Sequence, residues 1–280
     1  MIEDGPSLTS ADGLLLATRR SLSRSPLAVV VLSHGFGEHS GRYARLAAVL
    51  HDARIALHSY DLRGHGRSAG QRGHTPSLDA YLDDLARVID RACGEVPGLP
   101  LFLFGYSAGG NIALNYALRQ PSGIHGVIAI APWLRLAFSP PTWKTALGRV
   151  AMRVAPNMSF DFEADAPPAS RNTRVIEDKQ ADPLMHNRMS AAAFTVLTEG
   201  GQALLDGAAD FALPLLVMHG GDDQVISADA AAEFVAGVRH SDKRFVLFPG
   251  MAHEILNEPE PRAVHTEIVA WITHHLRAPA

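Results

Sequence analysis

The stretch LPLFLFGYSAGG, residues 99–110, contains the pattern that decides the fold. Its first half is apolar, as in a buried strand, and its second half places Ser107 among small residues. Gly105 and Gly109 complete a G-x-S-x-G pattern, which holds a serine hydroxyl clear of its own backbone when a strand precedes it and a helix follows. Because glycine has no Cβ, the strand and the helix can approach closely there. The same residues are also compatible with an ordinary turn whose serine caps the helix, so the rest of the chain has to discriminate between these two interpretations.

Other apolar runs alternate with helical patterns along the chain. Most runs are apolar at consecutive positions, which is typical of parallel strands covered by helices on both faces. The predicted strands are residues 27–35, 55–61, 99–105, 124–132, 213–220 and 244–250. The predicted helices are residues 42–53, 77–92, 107–119, 227–239 and 260–276. This alternation predicts an α/β protein with a mostly parallel central sheet, preceded by an edge hairpin that turns at Asp12 and Gly13.

The alternation stops between residues 133 and 190, where prolines punctuate short helical patterns and no strand pattern is visible. An insertion between two strands of such a sheet lies at its carboxyl edge, where ligands bind. We therefore expect residues 1–132 and 191–280 to form the core and residues 133–190 to form a helical cap. Within the cap, residues 142–154 predict a helix with one apolar face, which either packs on the core or contacts a lipid surface.

The composition of the chain excludes several classes of protein. Its 280 residues are 47% hydrophobic and 19% charged, which is ordinary globular composition. The net charge of −4 argues against nucleic acid as a partner. Cys93 is the only cysteine, which excludes an internal disulfide, and no nucleotide or metal motif is present, so neither a cofactor nor a metal is expected. The chain begins with an acidic, polar segment and its apolar runs are too short to cross a bilayer, which favours a cytoplasmic location.

A serine hydroxyl becomes a strong nucleophile only when a base accepts its proton and a third group orients that base. After a G-x-S-x-G turn of this kind, the acid and the histidine follow the serine in that order. His253 lies between the last predicted strand and the last predicted helix, at the same sheet edge as Ser107. Asp222 and Asp223 follow the preceding strand. Neighbours on an extended loop point apart, so only one of these aspartates can face the histidine.

An oxyanion hole is the remaining requirement for acyl transfer. The backbone N–H of Ala108, directly after the serine, is one expected donor. The second is expected from the glycine-rich loop after residues 27–33, where the N–H of Phe36 is the candidate. A plain glycine-rich turn is the alternative interpretation of that loop.

Five motifs together resemble those of the monoacylglycerol lipases and their lysophospholipase-like relatives, which have the α/β-hydrolase fold. In chain order the motifs are HGFGEHSGRY (34–43), YDLRGHGRSAGQRGH (60–74), GYSAGG (105–110), HGGDDQV (219–225) and GMAHEILNEPE (250–260). The resemblance implies that Ser107 is the nucleophile, Asp223 the acid and His253 the base. It also implies oxyanion donors at Phe36 and Ala108.

The resemblance further implies that Glu38 and Arg42 lie near the alcohol portion of the ester, although an ion pair between them that simply braces the loop is an equally good interpretation. The chain departs from the family at three positions. Tyr106 stands where relatives usually have histidine, and Ala108 stands where many have methionine. Leu256 stands where some monoacylglycerol lipases have a second histidine near the glycerol, which weakens the case for glycerol in particular.

These features predict a cofactor-independent serine ester hydrolase acting on a small lipid or ester, with monoacylglycerol as the first candidate substrate. A lysophospholipase, a short-chain carboxylesterase or a peptidase on the same scaffold are alternatives, since fold alone does not separate them. From another class, a non-catalytic binding protein with a hydrolase fold is the rival. Transient contact of the cap with a membrane surface is expected if its apolar helix faces outward.

Overall fold

The computed structural model describes residues 2–138, 154–162 and 169–277. Its strands are Glu3–Thr9 (β1), Leu15–Ser21 (β2), Ala28–Ser33 (β3), Ile55–Tyr60 (β4), Leu101–Tyr106 (β5), Gly126–Ile130 (β6), Ser159–Asp161 (β7), Arg188–Ser190 (β8), Leu215–Gly220 (β9) and Lys243–Phe248 (β10). Its α-helices are Ala44–Asp52 (α1), Leu78–Glu95 (α2), Ala108–Arg119 (α3), Thr173–Ala181 (α4), Ala191–Asp206 (α5), Ala228–Gly237 (α6) and Arg262–Arg277 (α7).

Eight of these strands form one sheet in the order β1-β2-β4-β3-β5-β6-β9-β10. The β1–β2 and β2–β4 pairs are antiparallel, and all the other neighbours in the sheet are parallel. The hairpin predicted at the N-terminus is therefore confirmed as β1 and β2, and so is the mostly parallel α/β sheet. Because the parallel strands run in one direction, the loops after β3, β5, β9 and β10 all leave from the same edge of the sheet.

Helices cover both faces of the sheet, which explains why its central strands are apolar at consecutive positions. In β3, Val29 and Val31 belong to the core that includes α2, α3 and α6. Val30 and Leu32, on the opposite face of the same strand, belong to the core that includes α1 and α7. Among the described residues, no helix combines the length and the hydrophobicity needed to cross a bilayer.

The segment between β6 and β9 differs in two ways from the sequence prediction. First, β7 and β8 pair as an antiparallel ribbon where no strand was predicted, because three residues each are too few for a periodic pattern. Second, α5 was not predicted, since Gly200 and Gly201 at its centre lower its helix propensity. Close packing explains these glycines, because a Cβ on Gly201 would lie 2.3 Å from the carbonyl oxygen of Leu134.

The described part of this segment contains the ribbon, α4 and α5. The predicted cap helix at residues 142–154 lies outside the described residues except for Val154. The division into a core and a cap at residues 133–190 therefore stays a prediction.

The contact between α3 and β3 leads to a prediction about stability. A Cβ on Gly109 would lie 2.0 Å from the carbonyl oxygen of Ser33, so an alanine fits only if the backbone moves. Gly109→Ala is expected to lower the free energy of unfolding by about 1–3 kcal/mol, as measured by urea denaturation. The control is Gly94→Ala near the end of α2, where a Cβ meets nothing within 4 Å. That change should raise the free energy of unfolding by about 0.5–1 kcal/mol. Equal stabilities of the two variants would contradict the close packing of α3 on β3.

Candidate active site

Ser107 lies at the sharp turn between β5 and α3, with a φ of 52° and a ψ of −114°. A positive φ is rare for a residue with a Cβ, so the surrounding structure has to hold this turn. The N–H of Ser107 donates to the carbonyl oxygen of Ile130 at 2.9 Å, and its own carbonyl oxygen accepts from the N–H of Trp133 at 2.9 Å. A Cβ on Gly105 would lie 2.2 Å from the carbonyl oxygen of Gly109, which explains the glycine on each side of the serine.

His253 connects Ser107 to Asp223. Its Nε2 lies 3.1 Å from Ser107 Oγ, and its Nδ1 lies 2.6 Å from Asp223 Oδ2. An ionised carboxylate can only accept hydrogen bonds, so Nδ1 carries the proton of the neutral imidazole and Nε2 is left as the acceptor for the serine hydroxyl. The three side chains come from the loops after β5, β9 and β10, and the fold brings them together at the carboxyl edge of the sheet.

Asp223 is held as an anion by its surroundings. Its side chain is fully buried, and its Oδ1 accepts hydrogen bonds from the N–H groups of Val225 and Ile226 at 2.8 and 2.9 Å. Burial alone would raise the pKa of this carboxyl, but the adjacent His253 and these donors outweigh it and keep the pKa below its ordinary value. Asp222 is exposed and makes no contact with the histidine. The structure therefore places Asp223, rather than its neighbour, against His253.

The N–H groups of Phe36 and Ala108 donate to no acceptor within the described residues. Ala108 is the first residue of α3, whose N-terminal N–H groups have no partner inside the helix. The loop that carries Phe36 begins beside this helix end, because Gly109 packs against the carbonyl oxygens of Ser33 and His34. Neither N–H group would therefore have to give up a hydrogen bond within the described residues in order to bind an anion.

Three comparisons with known proteins bear on this geometry. Residues 24–260 match the sequence family described as serine aminopeptidase, S33. A monoacylglycerol lipase of Mycolicibacterium smegmatis is 32% identical over 252 residues, which cover 90% of each chain. The chain belongs to this family of hydrolases. It is a carboxylic ester hydrolase with the α/β-hydrolase fold.

Two further relatives of this hydrolase family extend the comparison. The crystal structure of a Paleococcus ferrophilus monoacylglycerol lipase is 32% identical, with a TM-score of 0.84, and the match covers 94% of this chain and 99% of that one. A Bacillus subtilis protein named phospholipase YtpA is 32% identical over 90% of this chain and 97% of its own. The names of these relatives thus include two kinds of lipid ester hydrolase.

Glu38 and Arg42, which the family resemblance placed near the alcohol, are engaged with other protein groups. Arg42 Nη1 donates to Glu38 Oε2 at 2.6 Å. Glu38 Oε1 accepts from the N–H of Gly35 at 2.7 Å and from the hydroxyl of Tyr43. Burial by itself would raise the pKa of the Glu38 carboxyl, but Arg42 and these donors outweigh it and lower the pKa. These contacts support the alternative interpretation, in which the pair braces the loop.

Sequence reasoning did not identify Glu254, the second partner of Arg42. Arg42 Nη2 donates to Glu254 Oε2 at 2.7 Å, and both side chains are largely buried. The sequence offered one signal for Glu254, its position next to His253. Charged residues rarely lie buried without a partner, so a partner for Glu254 could have been sought. Within the described residues, no group of three or more acidic, histidine or cysteine side chains is placed to hold a metal ion.

The ring of Phe36 packs among aromatic side chains from other loops. Its centroid lies 4.6 Å from that of His65, 5.2 Å from that of Phe162 and 6.0 Å from that of His186. Burial lowers the pKa of both histidines, that of His186 to about 4. They are therefore neutral near pH 7.

An apolar cluster includes Ala108, the residue directly after Ser107. Its buried members are Ala108, Trp133, Met189, Ala193, Leu197 and Ile226, and Phe36, Leu136, Phe162, Phe194 and Val225 pack against them. Most of these side chains come from the segment between β6 and β9 and from the loop after β9. The surroundings of Ser107 on this side are therefore apolar.

The positions that depart from the family pattern are filled by buried side chains. The centroid of the Tyr106 ring lies 5.1 Å from that of the His253 ring, so the two side chains are neighbours. Leu256 is 5% exposed and packs in the core below α1 and α7. A leucine there offers no hydrogen bond to an alcohol.

Proposed function

We propose that this hydrolase cleaves monoacylglycerols to a fatty acid and glycerol, with Ser107 as nucleophile, His253 as base and Asp223 as acid. The observation that carries the proposal is the hydrogen-bonded chain from Ser107 Oγ through His253 to Asp223. The relatives named monoacylglycerol lipase support the substrate. A lipid ester is the broader substrate class, and glycerol as its alcohol is the finer part of the proposal.

The first half of the reaction transfers the acyl group to Ser107. As Ser107 Oγ attacks the ester carbonyl carbon, its proton moves to His253 Nε2, and the carboxylate of Asp223 stabilises the imidazolium that forms. The carbonyl oxygen becomes an oxyanion, which the N–H groups of Phe36 and Ala108 stabilise. The intermediate then collapses, the C–O bond to glycerol breaks, and the leaving oxygen takes the proton from His253.

The second half of the reaction releases the fatty acid. Water attacks the carbonyl carbon of the acyl-enzyme, while His253 Nε2 accepts a proton from it and the same two N–H groups hold the oxyanion. The bond to Ser107 Oγ breaks, and His253 returns the proton to the serine. During both halves the acyl chain packs against the apolar cluster around Trp133 and Met189.

A lysophospholipase is the second candidate function, because one relative is named a phospholipase. Short-chain carboxylesterase and peptidase activity are further alternatives on this scaffold, the latter suggested by the description of the family. Contact of the cap with a membrane surface and a cytoplasmic location stay predictions.

The experiment that tests the proposal measures kcat/KM for the purified chain on four substrates, three esters and one amide. These are a long-chain monoacylglycerol, a lysophospholipid of the same acyl chain, a nitrophenyl butyrate and an aminoacyl anilide. We expect the monoacylglycerol to be the best substrate. If kcat/KM were higher for the lysophospholipid or the anilide than for the monoacylglycerol, that compound would take the place of monoacylglycerol as the proposed substrate. The proposed reaction at Ser107 would be unchanged.

A fluorophosphonate probe serves as the independent readout of that chemistry. The active enzyme should be labelled at one site and should lose hydrolysis of all esters in proportion. No labelling and no hydrolysis would identify the chain as a binding protein on a hydrolase scaffold.

A further inference from the structure

Two loops that come from opposite ends of the chain meet at the active site. The oxyanion loop is residues 34–39, after β3, and carries the N–H of Phe36. The histidine loop is residues 249–258, after β10, and carries His253. Within the described residues, no backbone hydrogen bond joins one loop to the other. Any hydrogen bond that connects the two loops therefore involves a side chain.

Arg42 supplies a direct side-chain connection between them. One terminal nitrogen, Nη1, donates to Glu38 in the oxyanion loop at 2.6 Å. The other, Nη2, donates to Glu254 in the histidine loop at 2.7 Å. Arg42 and Glu254 lie 212 residues apart in sequence, so the bridge joins distant parts of the chain. A planar guanidinium is suited to this geometry, because its donors lie in a fixed fork.

Each end of the bridge is tied to a group that takes part in the proposed chemistry. Glu38 Oε1 accepts the N–H of Gly35, the residue directly before Phe36. Glu254 directly follows His253, and its own N–H donates to the carbonyl oxygen of Ala169 at 2.8 Å. A shift of either carboxylate would therefore move an oxyanion donor or the base.

The bridging groups have little capacity left for a substrate. The side chains of Glu38, Arg42 and Glu254 are 4%, 13% and 6% exposed. Both oxygens of Glu38 and both terminal nitrogens of Arg42 are already used by the protein. Tyr43 donates a further hydrogen bond to Glu38, which helps to stabilise two carboxylates around one cation.

We infer that Arg42 is a positioning residue that holds the oxyanion loop and the histidine loop in register through Glu38 and Glu254. This inference rests on the proposed function, because it assigns roles to Phe36 and His253. A positioning role of Arg42 differs from an alcohol-binding role in one measurable respect. A positioning residue affects every ester alike, whereas an alcohol-binding residue affects the ester whose alcohol it binds.

The test uses Arg42→Lys, which keeps the positive charge but replaces the fork by a single ammonium group. Steady-state kinetics are measured on a monoacylglycerol and on a nitrophenyl ester of the same acyl chain, together with the rate of fluorophosphonate labelling. We expect kcat to fall on both esters by up to about 10²-fold, the cost of a displacement of about 1 Å at a reacting centre. KM should change little, and labelling should slow by a similar factor.

Arg20→Lys is the matched control. Arg20 on β2 also bridges two carboxylates, those of Glu3 and Glu95, but two strands separate β2 from β5. Its substitution should leave kcat and the labelling rate unchanged. If Arg42→Lys does not fold, Glu254→Gln takes its place, since it keeps the shape of the side chain and removes its charge, and a smaller fall in kcat on both esters is expected.

Two results would overturn the inference. One is a loss confined to the monoacylglycerol and expressed in KM, which would make Arg42 an alcohol-binding residue. The other is normal kcat and labelling in the folded variant. Neither result affects the proposed function, which is tested separately by the substrate preference and the fluorophosphonate labelling of the wild-type chain.

Discussion

Ser107→Ala is expected to lower kcat for ester hydrolysis about 10⁶-fold, the loss measured when a triad nucleophile is removed from a well-studied protease. The change removes one oxygen, whose one hydrogen bond within the described residues is with His253. Alanine carries the same Cβ as serine, so the positive φ at this turn is no less favourable than before. The free energy of unfolding should therefore stay close to the wild-type value. Initial rates on a nitrophenyl ester and urea denaturation measure the two quantities.

Ser33→Ala is the control for this substitution. Ser33 is also buried, and its hydroxyl lies 3.2 Å from that of Tyr60 at the end of β3, directly beside β5. Its loss should leave most of the activity. If a folded Ser107→Ala variant turned over ester at a near-normal rate, the assignment of the nucleophile would have to be abandoned.

Asp223→Asn is expected to lower kcat about 10⁴-fold, as an amide does in place of the orienting aspartate of a serine protease. The asparagine can keep its oxygen on the N–H groups of Val225 and Ile226. Its NH₂ group then faces His253 Nδ1 and donates to it. This arrangement puts the imidazole proton on Nε2, so the ring can no longer accept the proton of Ser107.

Asp222→Asn provides the comparison, because it makes the same chemical change at an exposed neighbour. It should have little effect on kcat. Kinetics on both variants measure the loss of kcat, and circular dichroism checks that the Asp223→Asn variant is folded, so that the loss is not caused by unfolding. A severe loss at Asp222 together with a mild one at Asp223 would mean that the loop places the other carboxylate against the histidine.

The elements whose signals are local were predicted well from the sequence. The buried strands β3, β5 and β9 were predicted because each is an apolar run between turn residues. The short strands β7 and β8 were missed because each has too few residues for a period, and they form only by pairing with each other. Helix α5 was missed because the fit of Gly201 against Leu134 depends on packing and not on helix propensity.

The turn at Ser107 is recognisable from the sequence alone, because glycines two residues before and two residues after the serine let the strand and the helix approach closely, and all of this is visible within five residues. The order of the apolar runs also predicts that His253 and one of two aspartates lie at the same sheet edge as Ser107, because parallel strands share that edge. In contrast, only the folded chain shows that Arg42 donates hydrogen bonds to both Glu38 and Glu254. Their side-chain directions depend on two loops far apart in the chain, and a buried guanidinium takes whichever carboxylates the folded backbone brings within hydrogen-bond distance.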